Sequence, residues 1–132
     1  MNLFYKKASD TTPLISFNSD KGVLVIDGKC DLDEPAEFFK EISDWIEEYA
    51  KSPQKTTILT INLASINISS SKFLLNIIYQ LEAIFKAGFG VKIRWVFNND
   101  EDGNYELGND YAEMVDVPFE FIETVQNFMT TI

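Results

Sequence analysis

The sequence predicts an α/β fold, a single domain in which a mixed β-sheet has helices packed against it. Three observations carry that prediction. Runs of β-branched residues such as "VLVI" and "TILTI" alternate along the chain with two long amphipathic helical runs. Helical runs of that length return the chain across a sheet, so the strands they join are expected to be parallel. A chain of 132 residues with 45% hydrophobic and 14% aromatic content suits one core rather than two.

Residues 1–13 are polar and end in "TTP", which predicts a loose N-terminal lead, with the folded domain spanning 14–132. In "LISFNS" (14–19), Ile15 and Phe17 alternate with Leu14, Ser16 and Asn18, the period of a strand. "DKG" supplies a turn, and "VLVIDG" follows as a second strand that Gly28 is expected to end. Pro35 opens a helix whose inner face carries Phe38, Ile42, Trp45, Ile46 and Tyr49. Its outer face carries Glu37, Glu41, Asp44, Glu47 and Glu48. After "SPQKT", the run "TILTINLAS" (57–65) has the composition of a central strand buried on both sides. A second helix places Leu74, Ile77, Ile78, Leu81 and Ile84 or Phe85 on one face and stops at "KAGFG" (86–90). "VKIRWVF" (91–97) is a fourth strand, 98–110 an acidic loop, Tyr111–Val115 a short helical piece, and "PFEFIET" the last strand. The expected order is β-β-α-β-α-β-α-β, without repeats or a second domain.

Charge and composition exclude several functions. With 21 acidic against 11 basic residues, a net charge of -10 and a pI near 4.3, the surface repels phosphate backbones and anionic lipid, so no nucleic-acid partner is expected. No apolar stretch reaches the roughly 20 residues of a membrane span, since Asn76, Gln80, Glu82 and Lys86 interrupt the longest one, and no membrane insertion is expected. The start "MNLFYKKASD" lacks the apolar centre of a signal peptide and Cys30 has no partner for a disulfide; a cytoplasmic protein is expected.

Catalytic chemistry is not evident. There is no histidine, so serine lacks its usual base, and neither a G-x-S-x-G elbow nor a supported S-x-x-K dyad occurs, although Lys72 stands three residues after Ser69. Soft and borderline metals have no ligand set. The acidic loop lacks the alternating oxygen ligands of a calcium-binding hand, and a solvated loop is the better expectation. No catalytic residue, metal or cofactor is therefore assigned, and the expected role is to bind another protein.

The stretch "NISSSKFLLNIIYQ" (67–80) is the place to look for control. Asn67 or Ser69 is expected to cap the second helix by accepting from the free N–H groups of its first turn, worth about 1 kcal/mol. The same helix end, with its unpaired donors and positive dipole, also accommodates a phosphate, which would bring close to two negative charges within reach of Lys72. Phe73, Asn76, Tyr79 and Gln80 lie off the apolar stripe and form a contact surface unless a neighbouring layer covers them.

The succession of a strand, "NISSSK", "LLNIIYQLE", "GVKIRWVF" and a late "PFEF" resembles the SiaC-type regulatory phosphoproteins, small STAS-like domains. The resemblance runs from about Thr12 to Glu123 and includes "GKC" after the second strand and "FFKEISDWIEEY" in the first helix. It implies a STAS-like fold and a non-enzymatic partner switch. In that family a protein kinase phosphorylates the hydroxyl residue after the asparagine and a PP2C-type phosphatase reverses it. The unmodified form binds and activates a diguanylate cyclase, the source of the cyclic dinucleotide that governs biofilm formation.

Two positions depart from the family pattern. Where members read N-T-S-S, this chain has Asn67, Ile68, Ser69 and Ser70, and Ile68 has no hydroxyl. Either phosphorylation has moved, with Ser69, Ser70 and Ser71 as candidates and Ser69 favoured, or the partner is bound without that switch. Before the first helix, the family's serine and P-E-N are replaced by Cys30, Leu32, Asp33 and Glu34. Partner binding is expected on the surface around the second helix, at Asn67, Ile68, Lys72, Phe73, Asn76, Tyr79 and Gln80. Two rival expectations are an anti-sigma factor antagonist using the same helix, and a small-molecule-binding domain or enzyme using the acidic loop and Ser69.

Overall fold

The structure, a computed structural model, describes residues 3–98 and 103–124. In chain order its elements are β1 (Leu3–Lys6), β2 (Leu14–Asn18), β3 (Val23–Cys30), α1 (Pro35–Tyr49), β4 (Thr56–Ile66), α2 (Ile68–Lys86), β5 (Gly90–Phe97), α3 (Asn104–Met114) and β6 (Phe119–Glu123). The six strands form one mixed sheet in sequential order, antiparallel from β1 to β3 and parallel from β3 to β6. The α/β class expected from the sequence is what the chain adopts.

Each parallel connection steps one strand further in the same direction. Right-handed crossovers that never reverse bring their helices to the same side of a sheet. The contacts agree: Trp45 of α1 packs edge-on against Phe17 of β2, Tyr49 bonds Thr57 of β4 through their hydroxyls at 2.7 Å, and Tyr111 of α3 packs edge-on against Trp95 of β5. Ile15, Phe17, Leu24, Ile26, Leu59 and Ile61 are fully buried beneath that helical layer. On the other face Val25, Ile58 and Thr60 are only half-buried and Asn62 is exposed.

That one-sidedness corrects the expectation for β4. It is central, paired to β3 and β5, but buried on one face only, because among the described residues no helix crosses back over the sheet. The alternation within its β-branched run, odd positions in and even positions out, is the signature that an all-apolar reading passes over.

Four further differences have local causes. The lead expected to be loose contains β1, whose Phe4 sits on the rings of Phe17 and Trp45, while Lys6 pairs with Glu41 at 2.9 Å and lies 5.5 Å above Phe38. Gly28 does not end β3; with φ of 127° it carries a bulge between Gly28 and Lys29, and the strand runs on to a buried Cys30. The buried stripe of α1 uses Phe39 in place of Phe38, which is only partly buried. The acidic loop expected over 98–110 turns helical at Asn104, so α3 is longer than the piece expected at Tyr111–Val115; residues 99–102 of that loop and 125–132 of the expected domain lie outside the described residues.

Asn104 explains why α3 starts where it does. It is buried; its side-chain amide donates to the Leu63 carbonyl at 2.6 Å, and its own carbonyl accepts from the Trp95 indole at 2.9 Å. One turn on, Gly108 lies flat on that indole: a Cβ there would stand 2.6 Å from the ring. Gly108→Ala is therefore expected to destabilise the fold by about 1–3 kcal/mol through overpacking, read as a lower urea midpoint with an unchanged slope.

Candidate functional site

The parallel strands β3 and β4 end side by side, Cys30 opposite Ile66, and each releases a loop toward the helical layer. Asn67 joins the two. Its backbone N–H donates to the Cys30 carbonyl at 3.1 Å and its side-chain Nδ2 to the Leu32 carbonyl at 2.8 Å. Its Oδ1 accepts from the Ser70 backbone N–H at 3.0 Å, which caps α2. The cap is thus Asn67, one of the two expected. Beside it, Ser65 donates to the Asp31 carboxylate at 2.6 Å. The segment Asp31–Glu34 is latched to the entry of α2 by side chains from both partners.

The serines have three different environments. Ser69 is half-buried and its hydroxyl approaches the Leu32 carbonyl at 3.3 Å and Asn67 Oδ1 at 3.4 Å, two acceptors. Ser70 is fully buried and its hydroxyl has no well-formed hydrogen bond. It stands close enough to the Cys30 thiol to favour the thiolate, but burial outweighs it and, with the Asp31 charge adding, pushes Cys30 up to about 11. Ser71 donates to the Ile68 carbonyl at 2.8 Å, and its own carbonyl accepts from the Tyr111 phenol. Burial drives the Tyr111 phenol well above its ordinary range, so it remains a donor bracing the first turn of α2.

Outward, the first helical residue, Ile68, is 88% exposed. Lys72 is exposed and makes no ion pair among the described residues, and Asn76 and Tyr79 continue the exposed side. Phe73 is different: it stacks on Phe39 of α1 at 5.8 Å between centroids. Gln80 also turns to α1, donating to the Ser43 carbonyl at 3.1 Å. The expected contact residues therefore divide into an outward set, Ile68, Lys72, Asn76 and Tyr79, and a set facing α1. Between the helices lies an open groove of about 330 Å³ whose walls include Phe39, Phe73, Asn76 and Ile77.

Sequence reasoning missed Leu32, Asp31, Ser65 and Tyr111 as members of this site. The only signals were local, an aspartate three residues past a strand glycine and a serine two residues before the asparagine. Among the described residues no group of three or more cysteines and carboxylates gathers into a metal centre. No helix among the described residues is long and apolar enough to cross a membrane.

The fold is that of a STAS-like α/β domain with a braced helix entry where β3 and β4 end. The chain belongs to the SiaC family of regulatory phosphoproteins, whose sequence profile matches residues 6–124. It is 27% identical over 111 residues to an uncharacterized Pseudomonas aeruginosa protein of strain UCBPP-PA14, covering 84% of this chain and 88% of that one. The solved structure of SiaC of Pseudomonas aeruginosa is similar at a TM-score of 0.86 and 25% identity, over 94% of this chain and 100% of that one. A chain in the crystal structure of the diguanylate cyclase SiaD in complex with its activator SiaC, from the same organism, is similar at 0.85 and 25%, over 92% and 99%.

Two outcomes follow from the latch. Asn67→Asp keeps the acceptor for Ser70 but replaces the donor to Leu32, so amide exchange at Asp31–Glu34 is expected to rise about tenfold while the middle of α2 is unchanged; Asn67→Ala also loses the cap and about 1–2 kcal/mol. Cys30 titrates from an ordinary value of 9.0 to about 11 in the fold. The folded state holds the thiol proton that the unfolded state releases, so stability is full below pH 9 and falls as pH rises from 9 toward 11. Urea midpoints across that window are expected to fall more steeply for the unchanged chain than for Cys30→Ala.

Proposed function

We propose that the chain is a non-enzymatic, cytoplasmic partner switch whose unmodified form binds and activates a diguanylate cyclase through the entry and outward side of α2. The observation that carries this reading is Ile68: a large apolar side chain, 88% exposed, on a helix start held rigid by Asn67 and Tyr111. Rigid presentation lowers the entropy lost on binding, and an exposed aliphatic residue near a lysine without an ion pair among the described residues is available to a partner. Family membership supports the same role, since the SiaC of Pseudomonas aeruginosa is the activator of the cyclase SiaD.

Control is placed on Ser69, with a protein kinase and a PP2C-type phosphatase as the opposing partners. Ile68 has no hydroxyl, Ser70 is fully buried, and Ser71 is engaged with the Ile68 carbonyl. A phosphate on Ser69 adds only acceptors where Leu32 O and Asn67 Oδ1 already accept, with the carboxylates of Asp31, Asp33 and Glu34 on the adjoining segment. It cannot settle there without displacing that segment or turning outward toward Lys72. Either movement changes the surface around Ile68.

Mass spectrometry after incubation with the kinase is expected to find one phosphate on Ser69 that is lost in Ser69→Ala. The unmodified chain is expected to raise cyclase turnover, and the phosphorylated chain to do so at least about tenfold less well, a difference of about 1.4 kcal/mol in binding. Modification confined to Ser71, or none between Ser65 and Ser71, sinks the switch; an unchanged cyclase rate sinks the activator role.

A further inference from the structure

We propose that the uncovered face of the sheet receives a second copy of this chain, the two sheets packing face to face about a two-fold axis. The proposal stands apart from the partner switch, because this face lies on the opposite side of the sheet from α2.

Parallel strands are as a rule covered on both faces, yet among the described residues no helix crosses the outer face of β3–β6. Register gathers the side chains of that face into rows, the middle one running Tyr5, Ser16, Val25, Thr60, Arg94 and Glu120 from β1 to β6. At its centre Val23 stands opposite Ile58 and Val25 opposite Thr60. Leu3, Tyr5 and Val23, 61%, 56% and 42% exposed, all lie on this face. Large apolar side chains left open together on one face mark a contact surface, where single ones would not.

The charged groups decide the occupant. On this face Asp27 stands on β3, Lys92 and Arg94 on β5 and Glu120 on β6, while β1, β2 and β4 turn no charged side chain toward it. Two cations thus balance two anions in a chain whose net charge is -10, so a second acidic chain meets less repulsion here than over the helical layer. Lys92 Nζ and Arg94 Nε lie 3.8 and 3.3 Å from the Glu120 carboxylate and enter an interface already paired.

The arrangement is also self-complementary, as a two-fold interface must be. An axis along the strands, between β3 and β4, lays β3 over β4 of the second copy, β2 over β5 and β1 over β6. Every charged strand then meets an uncharged one. Arg94 comes down on Ser16, Lys92 on Asn18, Glu120 on Tyr5 and Asp27 on Asn62, with Val23, Val25 and Ile58 in the middle. Six strands about 4.8 Å apart and three rows about 7 Å apart give a footprint of about 500 Å² in projection, which side-chain relief raises toward the roughly 800 Å² per partner of a standard interface. Both copies keep α2 on the outside of the pair, so each helix entry remains free.

The test is sedimentation equilibrium of the full chain over a range of concentrations at physiological salt. The expected mass rises toward twice that of one chain. Val23→Lys, which sets an unpaired cation against Ile58, and Tyr5→Glu, which sets a carboxylate against Glu120, are each expected to raise the dissociation constant about tenfold or more. Tyr5→Lys is expected to raise it less than Tyr5→Glu, and Met114→Lys, at an apolar position 55% exposed on α3, to leave it unchanged. Thermal melts of dilute variants that match the unchanged chain separate this from misfolding. A dimer broken by Met114→Lys but not by Val23→Lys overturns the assignment, and equal effects of Tyr5→Glu and Tyr5→Lys overturn the strand-over-strand arrangement. A monomer at every concentration overturns the proposal as a whole. Hydroxyl-radical labelling of Tyr5 then distinguishes an open face, where it is labelled, from one shielded by residues 125–132 of the same chain.

Discussion

The constraint on which the rest of the structure depends is that the strands follow one another across the sheet in chain order. A sheet that never reverses confines its helices to one face, so a single apolar face must hold the whole core. It also sets the carboxyl ends of β3, β4 and β5 next to one another on the same edge. Segments separated by more than thirty residues then meet there: Leu32 with Asn67, 35 apart, and Leu63 with Asn104, 41 apart. Both meetings use an asparagine, whose side-chain amide donates to a backbone carbonyl at the end of the sheet.

The two asparagines have different tasks. Asn104 is buried, so its bonds to Leu63 and toward Trp95 fix α3 against the core and make that corner intolerant of change. Asn67 is half-buried, at the boundary between core and solvent, so its latch is maintained by hydrogen bonds each worth about 1 kcal/mol net rather than by apolar burial. A latch of that strength is within reach of one phosphate. The difference in burial is what separates a structural corner from one that a covalent modification can move.

The sequence made the long elements legible because their periodicity is written in residues close together. Leu74, Ile77, Ile78, Leu81 and Ile84 mark α2 without reference to anything else, and all five are buried in the fold. What was not legible depends on partners distant in the chain. Four residues of β1 become a strand because Phe4 finds Phe17 and Trp45; the start of α3 is set by Leu63 and Trp95; Gly28 bends rather than ends β3 because β4 continues beside it. At the site, the capping asparagine could be read from its place before the serines, whereas the sorting of the three serines could not. Ser70 is lost to solvent because helix rotation turns it toward Cys30, a neighbour 40 positions earlier that spacing alone does not reveal.

Ile68 gains its meaning from that sorting. A single exposed isoleucine is ordinary on a protein surface and by itself indicates nothing. Here it stands at the first position of a helix whose next three residues are buried or half-buried by the fold, so it is the most exposed group of that turn. Under the partner switch proposed above, a sec-butyl side chain in place of a hydroxyl-bearing one removes a place for phosphate and adds apolar area, two changes that both favour the bound state over release. A switch that keeps its partner surface while losing that hydroxyl must draw its reversibility from a neighbour. In the switch proposed above that neighbour is Ser69, whose hydroxyl approaches the same Leu32 carbonyl that Asn67 holds.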